Sequence, residues 1–306
     1  MDKFQNLFQR GGLSMDRLRN FCLVAEVGGL TRAAGGDPGR MSLYSRQIKE
    51  LEAFFGVELT RRVGKTMAIT EAGRRLATLA RGYLDGLADF QAEGRKLPRK
   101  LSLGTGNSVI QWMLIPRVGA LRKALPDHTV IEFHGLRTQD VVDRLEDMTL
   151  DLGIIRTDAR TAALKSSPLP VRDYALFVPK RLLERVTPGD LPTVLETVPL
   201  ATSMGGAFRE RLEGAAARAK LPLRIELGCS SFTQAARAVG TGRFGAVLPA
   251  MASADFDPAE VLQLPLSFLK SALLPLCLAW NPRLADMRPA MDRARDTFAS
   301  VLRQAA

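Results

Sequence analysis

Residues 18–73 read LRNFCLVAEVGGLTRAAGGDPGRMSLYSRQIKELEAFFGVELTRRVGKTMAITEAG, and the rest of the chain is organised around this stretch. Its middle part, SRQIKELEAFFGVEL (residues 45–59), places Ile48, Leu51, Phe54 and Phe55 at helical spacing with charged residues between them. This spacing is typical of a helix that packs on one side and is free on the other. Two shorter helical patterns precede it, so the stretch predicts a small three-helix head.

Glycine and proline mark the ends of the three helices. The first helix is predicted over residues 16–27 and ends at the glycines 28–29. Thr31 is a suitable N-cap for a short second helix. The segment GGDPG (residues 35–39) is predicted to form a turn, so that the third helix begins at residues 40–42 and ends at Phe55. Two helices joined by a tight turn form a helix-turn-helix.

A basic turn follows the third helix. The segment RRVGKT (residues 61–66) lies between the short segments 57–59 and 67–69, a pattern that predicts a hairpin wing. The chain of 306 residues carries a formal charge of +11, and residues 1–100 hold 18 Lys and Arg against 11 Asp and Glu. A basic head of this kind indicates a polyanionic partner, most simply double-stranded DNA.

The free face of the third helix and the wing supply the candidate DNA contacts. Arginine can bond a guanine edge twice, serine can meet a base edge or a phosphate, and basic wing residues suit phosphates or the minor groove. An ordinary solvated face is the alternative for the helix, and a structural role is the alternative for Arg62. The predicted DNA-binding residues are Thr31, Arg40, Met41, Ser42, Ser45, Arg46, Lys49, Arg61, Arg62 and Lys65. Of Met41 and Leu43, one is expected to be buried in the head and the other to touch a thymine methyl group.

A long amphipathic helix is predicted over residues 71–94, with Thr70 as its N-cap. Its apolar positions are Leu76, Leu79, Ala80, Tyr83, Leu84, Leu87 and Phe90. This stripe is too long for the small head to cover, so we expect it to pair with the same helix of a second copy. The basic segment 95–100, with Pro98, ends the helix.

From residue 101 onward, strand patterns alternate with helix patterns. Strands are predicted at residues 101–104, 130–134, 152–156, 174–178, 224–227, 246–248 and 274–279, and helices at 110–124, 139–146, 207–219 and 233–239. Residues 283–306 are expected to end in another helix. This alternation predicts a mainly parallel sheet in an α/β fold. So many strands fit two lobes better than one sheet, with crossovers at 168–170 and 264–269.

These residues resemble a known family, the LysR-type transcriptional regulators. The matching pieces of the head are LRNFCLVAEVGGLTRAA, SRQIKELEAFFGVEL and ITEAG, in that order and at the expected spacing. DLGIIR (residues 151–156) and AVGTGRFGAVLP (238–249) are looser matches to the effector domain of that family.

The resemblance implies an α+β multidomain protein with four parts. They are an extension (1–14), a winged helix-turn-helix DNA-binding domain (15–73), a linker or dimerisation helix (70–97) and an effector domain (100–306). The effector domain would resemble periplasmic binding proteins, with lobe I at about 100–168 and 272–306 and lobe II at about 169–271. The resemblance also implies homodimers or homotetramers that bind inverted repeats in promoter DNA, contact RNA polymerase and are controlled by a small-molecule effector between the lobes.

The match departs from the family pattern at the start of the third helix. The family commonly has Ser-Gln-Pro-Ala-Leu where this chain has RMSLY (residues 40–44), and Phe-Glu-Arg where it has Thr60, Arg61 and Arg62. The apolar frame of residues 45–52 is intact, so the fold is expected to be retained. The base preference, the target genes and the sign of regulation are not defined by the sequence.

The candidate effector site is predicted at the loops that follow strands, because ligands of α/β folds collect beyond the carboxyl ends of strands. The loops are residues 105–108, 136–138, 202–206 and 230–233, rich in hydroxyl groups and glycine. The resemblance to the family implies, by position in the chain, that Ser108, Thr138, Ser203 and Phe232 are among the effector-binding residues. The predicted effector-binding residues are Asn107, Ser108, Arg137, Thr138, Thr202, Ser203 and Phe232, and Arg137 and Arg209 could offset a ligand carboxylate. Simple helix capping is the alternative for the hydroxyl groups.

Other classes of protein are less well supported. The two histidines build no Ser/His/Asp or Cys/His set, and Cys22, Cys229 and Cys277 fit no metal spacing, so we expect neither catalysis nor a cofactor or metal. No apolar run suits a membrane span or a signal peptide, and the cysteine usage suggests a reducing cytoplasm. The alternatives are a cytoplasmic solute-binding protein and an α/β enzyme with an appended dimerisation helix.

Overall fold

The computed structural model describes residues 5–8, 11–64, 66–95, 97–170, 173–184, 189–203, 207–272 and 275–303. The head contains the helices α1 (Gln5–Phe8), α2 (Met15–Val27), α3 (Leu30–Ala33) and α4 (Pro38–Phe55). The Ser14 side chain caps α2 by accepting the amide of Arg17, and Gly28 ends this helix in the left-handed conformation. The predicted first helix is confirmed, and Leu13, from the end of the extension, packs against the head core.

Two predicted helix starts in the head are wrong. α3 has Gly29 as its N-cap, so Thr31 lies inside the helix and does not cap it. α4 begins at Pro38, and the Asp37 carboxylate accepts the amides of Gly39 and Arg40 at 2.8 and 3.1 Å. Pro38 and Gly39 therefore belong to the helix and not to the turn, because Asp37 is a strong N-cap and proline suits the first helical position.

The wing consists of β1 (Thr60–Val63) and β2 (Thr66–Ile69), which pair antiparallel. The predicted hairpin is confirmed, but its first strand lies at Thr60–Val63 and not at residues 57–59, so Arg61 and Arg62 belong to a strand and not to the turn. Glu52 of α4 ties the wing to the helix, because its Oε1 accepts the amides of Leu59 and Thr60 at 2.9 and 3.0 Å. Thr70 caps the next helix by accepting the amide of Gly73, which confirms the predicted cap.

The linker helix α5 (Glu71–Arg95) runs from the head to the C-terminal part of the chain. Ala77 is buried in the head core. Further along, Gly86 lies so close to the backbone of Met287 that a Cβ atom at Gly86 would stand 2.7 Å from the Met287 carbonyl oxygen. The helix thus packs against both parts of its own chain. Of the apolar stripe that the sequence predicts on this helix, Leu76 packs against the head core, Ala80 is buried and Leu84 is partly buried. The other four side chains, Leu79, Tyr83, Leu87 and Phe90, are exposed, and they form what we call the linker stripe.

Residues 99–303 form two lobes. The strands are β3 (Arg99–Thr105), β4 (Thr129–Gly135), β5 (Leu152–Arg156), β6 (Lys165–Pro168), β7 (Tyr174–Pro179), β8 (Leu200–Ser203), β9 (Ile225–Cys229), β10 (Gly245–Pro249), β11 (Val261–Pro265) and β12 (Leu276–Trp280). The helices are α6 (Asn107–Val109), α7 (Val118–Ala124), α8 (Thr138–Glu146), α9 (Leu191–Thr197), α10 (Ala207–Arg218), α11 (Phe232–Gly240), α12 (Pro282–Met287) and α13 (Pro289–Arg303). A π-helical turn (Ile110–Leu114) and a 3-10 turn (Ile115–Arg117) join α6 to α7. The sequence did not predict β6, β8, β11 or α9, because these short segments lack a clear period.

The predicted, mainly parallel sheet is confirmed only in part, because each lobe has one mixed five-stranded sheet in which four strands run in one direction and one strand runs against its neighbours. The order is β4-β3-β5-β12-β6 in lobe I and β11-β7-β10-β8-β9 in lobe II. β12 runs antiparallel to β5 and β6, and β7 runs antiparallel to β10 and β11. β7 and β12 are the strands that follow the two crossings between lobes. Each begins where a neighbouring strand ends. Tyr174, the first residue of β7, pairs with Pro249, the last residue of β10, and Leu276, the first residue of β12, pairs with Arg156, the last residue of β5. Both crossings therefore lie at the carboxyl edges of the two sheets.

The core of lobe II has two sides. Leu176, Val178 and Leu200 pack on the side covered by α10, whereas Phe177 and Ala201 pack on the side covered by α11. Trp112, from the π-helical turn of lobe I, is buried in the second of these clusters. The lobes are thus joined by apolar packing at their facing carboxyl edges.

Candidate DNA-binding face and interlobe site

The helix α4 has one buried and one exposed face. Tyr44, Ile48 and Leu51 are buried in the head, whereas Arg46 and Lys49 point away from it and are exposed. Arg40 and Ser42 are also exposed, and Ser45 is partly buried. Glu50 lies 3.9 Å from Arg46, but it is held more closely by Arg17 of α2. The exposed face of α4 therefore offers two cations, Arg46 and Lys49, and the Ser42 hydroxyl, and Arg40 adds a third cation at the first turn of the helix.

The other predicted DNA-binding residues surround this face. Met41 packs against the head core, whereas Leu43 is exposed. Thr31 on α3 and Arg61 and Arg62 on β1 are exposed. Lys65 lies outside the described residues.

The interlobe site is built where the carboxyl edges of the two sheets meet. The Trp112 Nε1–H of lobe I donates to the Asp255 carboxylate of lobe II at 2.8 Å. The π-helical turn that carries Trp112 is a rare local form that is frequently found at functional sites.

Three aromatic rings meet at the lobe II edge of this site, and we call them the aromatic cluster: Tyr174, Phe208 and Phe232. Tyr174 stacks on Phe208 with ring centroids 4.6 Å apart, and Phe232 meets Phe208 edge-on at 4.7 Å. Burial raises the pKa of the Tyr174 phenol to about 12, and the nearby charges of Arg156 and Arg211 offset this only in part. Tyr174 is therefore a neutral hydroxyl donor near neutral pH.

An ion-pair cluster crosses from one lobe to the other beside these rings. Arg156 and Arg211 both hold Asp158, with N–O distances of 3.1 and 3.3 Å. Arg156 and Asp158 belong to lobe I, and Arg211 lies on α10 of lobe II. Burial disfavours the ionised form of Asp158, but the hydrogen bonds and charges of the two arginines outweigh burial and lower its pKa.

The sequence did not single out this cluster. Arg137 and Arg209 were the predicted partners of a ligand carboxylate, but Arg137 is exposed and Arg209 pairs with Glu213 on its own helix at 2.8 Å. Arg156 ends the DLGIIR motif, yet its partner Arg211 lies in the other lobe, and no local pattern links the two.

The predicted effector-binding residues lie at the two carboxyl edges. In lobe I, Asn107 and Arg137 are exposed, and Ser108 and Thr138 are partly buried. In lobe II, Thr202 and Ser203 are buried at the end of β8. The Thr202 hydroxyl is buried and has no hydrogen-bond partner among the described residues. A buried hydroxyl without a partner is costly, and such a group at a sheet edge suits a ligand contact.

The three cysteines lie in separate cores. Cys22 is buried in the head, Cys229 in lobe II and Cys277 in lobe I. Burial raises the pKa of all three thiols, that of Cys22 to about 11, so thiolate is scarce near neutral pH. Within the described part of the chain, no group of three His, Cys, Asp or Glu side chains could hold a metal ion. No helix in that part is long and apolar enough to cross a membrane.

Family models identify both halves of this architecture. The model "Bacterial regulatory helix-turn-helix protein, lysR family" matches residues 15–74, and the model "LysR substrate binding domain" matches residues 94–303, more than half of the chain. The chain belongs to the LysR family. Its winged helix-turn-helix head and two-lobed α/β domain confirm the fold that the sequence predicts.

Individual relatives are distant. The probable hydrogen peroxide-inducible genes activator of Mycobacterium leprae is 27% identical over 166 residues, which cover 53% of this chain and 53% of that protein. The chain thus matches about half the length of this relative. The structure of a full-length OxyR variant from Pseudomonas aeruginosa, in which one cysteine is replaced by aspartate, has a TM-score of 0.68 at 17% identity, and the match covers 96% of each chain. CbnR complexed with its target DNA has a TM-score of 0.56 at 19% identity, covering 93% of this chain and 100% of that one. At these identities the two structures show the fold alone.

Proposed function

We propose that this LysR family chain is a transcriptional regulator that binds promoter DNA through α4 and the wing. One observation carries the proposal: α4 is buried on the side of Tyr44, Ile48 and Leu51 and exposes Ser42, Arg46 and Lys49 on the other, with Arg40 exposed in its first turn. A helix of this kind can enter the major groove, where arginine reads guanine and serine meets bases or phosphates. The structurally similar CbnR was solved with its target DNA, which supports this use of the head.

We propose further that the chain acts on DNA as a pair and by binding rather than by catalysis. The linker stripe runs along one side of α5, and its most exposed member, Phe90, is 78% accessible. A second linker helix would cover these side chains and place two heads on two half-sites. Contact with RNA polymerase and action in the cytoplasm are further expectations for such a regulator.

A small molecule bound between the lobes would control this pair. The interlobe site combines the aromatic cluster, the Asp158 ion pairs and the Thr202 hydroxyl, which has no hydrogen-bond partner among the described residues. A ligand shifts the regulator only as far as it binds one arrangement of lobes better than another. Since α5 packs against lobe I as well as the head, a change in the lobes would reach the DNA-binding helices. No other cofactor is proposed.

The decisive experiment is a pulldown of fragmented genomic DNA by the purified full chain at low salt, followed by sequencing. We expect enrichment of a limited set of fragments whose affinity falls steeply with salt, because neutralised phosphates release counterions. The genes beside these fragments would also suggest the ligand.

The control is a full chain in which Arg40, Arg46 and Lys49 are all replaced by alanine, with its fold verified by circular dichroism. These residues are exposed, so the head should fold without them. Enrichment that is unchanged in this variant, or no retention by the natural chain, would refute the proposal.

A further inference from the structure

We propose that the effector is a small aromatic acid whose carboxylate lies between Arg156 and Arg211 and whose ring lies against the aromatic cluster. This inference rests on the proposed control by an interlobe ligand, and it adds the chemical class of that ligand. It draws on three features of the site: an excess of positive charge in the ion-pair cluster of Arg156, Asp158 and Arg211, a set of flat apolar surfaces and hydroxyl donors at the same edge.

The charge of the ion-pair cluster favours an anion. Two guanidinium groups, Arg156 and Arg211, share the single carboxylate of Asp158. Their side chains keep about a third of their accessible area (35% and 30%), so that an incoming acid can reach them. A guanidinium can hold a carboxylate with two parallel hydrogen bonds, and neither arginine does so with Asp158 among its described contacts.

The aromatic cluster favours a flat ring. The centroids of Tyr174, Phe208 and Phe232 stand 4.6 to 5.7 Å apart, which is the spacing of stacked and edge-to-face rings. Tyr174 and Phe208 lie on the α10 side of the lobe II sheet, which also bears Arg211. A ligand ring would extend this stack, whereas a short aliphatic acid would leave the rings without an added partner.

Hydroxyl donors stand at the same edge. Successive residues of a strand point to opposite faces of the sheet, so Thr202 lies on the same face as Leu200. Leu200 packs in the apolar core under α10, and Tyr174 and Phe208 pack against that core. The Thr202 hydroxyl lacks a partner among the described residues, and the Tyr174 hydroxyl is neutral. Both can donate to an oxygen of the ligand.

Binding would then exchange one ion pair for another. Asp158 of lobe I holds Arg211 of lobe II, so a ligand carboxylate that takes Arg211 must compete with Asp158. The exchange would replace a direct link between the lobes by a link through the ligand. This gives the ligand different affinities for different lobe arrangements, which is the condition for control.

The test is isothermal titration of the full chain with benzoate and phenylacetate, compared with benzamide and acetate. We expect the aromatic carboxylates to bind at least about tenfold more tightly than benzamide, which lacks the charge. They should also bind at least about tenfold more tightly than acetate, which lacks the ring.

Arg211→Gln should weaken binding of the aromatic carboxylates about tenfold or more. Asp158→Asn should tighten it about threefold, because the competing carboxylate is removed. Arg224→Gln, a lobe II arginine paired with Glu226 away from the site, should bind like the natural chain.

Three results would overturn the inference. They are no binding of either aromatic carboxylate at millimolar concentration, equal binding of benzoate and benzamide, and weaker binding by Asp158→Asn. The last two do not depend on whether Arg211→Gln folds. DNA retention by the same preparation is measured separately, so a failed ligand class leaves the proposed DNA-binding function standing, and a failed DNA pulldown does not decide the ligand.

Discussion

Arg46 and Arg62 are both exposed arginines of the head, but they lie on different elements. Arg46 lies in the middle of α4, where a bidentate bond to a guanine edge is possible, whereas Arg62 lies on the wing, where we expect it to meet phosphates. We predict that Arg46→Ala weakens binding to an enriched fragment by about 1–3 kcal/mol and reduces discrimination against scrambled DNA. Arg62→Ala should weaken binding to both DNAs alike and lower the salt slope by about 1.

Fluorescence anisotropy with both duplexes over a range of salt concentrations measures the two effects. The matched control is Arg95→Ala, because Arg95 is exposed at the far end of α5. If Arg46→Ala and Arg62→Ala lowered affinity for both duplexes equally, α4 would not be the helix that reads bases.

The linker stripe is the clearest feature at the scale of an element. Tyr83 and Phe90 are 64% and 78% exposed and lie on the same side of α5. Covering such side chains contributes about 1.5–3 kcal/mol each when burial is complete. We predict that the double variant Tyr83→Asp and Phe90→Asp is monomeric at concentrations where the natural chain is a dimer or tetramer, as analytical ultracentrifugation would measure.

The control for this variant is Ala88→Asp. Ala88 is exposed too, but it is one residue from Leu87 and thus about 100° around the helix from it. The Ala88→Asp variant should therefore remain oligomeric. A stripe variant that remained fully oligomeric would show that another surface holds the copies together.

A buried ion-pair network fixes the same helix to lobe I. Arg288, whose side chain is 9% exposed, holds Asp89 of α5 at 2.6 Å and also Asp151, which precedes β5. Burial raises the pKa of the neighbouring Asp85, and the negative charges of Asp151 and Asp89 act in the same direction, whereas Arg288 and Arg81 offset the rise in part. Arg288→Met would leave buried carboxylates uncompensated, and we predict a loss of about 3–5 kcal/mol in the free energy of unfolding.

Urea unfolding measures this loss, with Arg293→Met on α13, the helix that follows Arg288, as the control. Arg293 is exposed, so the control should change stability by less than about 0.5 kcal/mol. Equal stability of the two variants would mean that the network contributes no net stability.

Across the molecule, the sequence correctly predicted those parts whose structure depends on residues close together in the chain. The head, the Thr70 cap and the linker helix follow from caps, glycines and periodic apolar residues, and they are confirmed. The start of α4 was missed because Asp37 and Pro38 suit a turn as well as a helix start. The mixed sheets and the link between Asp158 and Arg211 could not be predicted, because they depend on where the chain crosses between lobes.

Arg81 of α5 is where the three parts of the chain meet. Its guanidinium donates to the Cys22 carbonyl of the head at 3.2 Å and lies 3.4 Å from the Glu26 carboxylate. It also reaches the Asp147 carbonyl of lobe I at 3.5 Å. The Arg81 side chain is only 14% exposed, and it contacts both the head and lobe I from a single position on α5.

We predict that Arg81→Met loosens both connections at once. Amide hydrogen exchange, followed by mass spectrometry of the full chain, should become faster in peptides that cover residues 20–28 and 145–151, because each segment loses a bond that holds it to α5. Arg75→Met, at an exposed position of the same helix, should leave both peptides unchanged. If only the head peptide responded, the Asp147 contact would not couple lobe I to the head, and the signal from a bound ligand would have to pass through the Arg288 network instead.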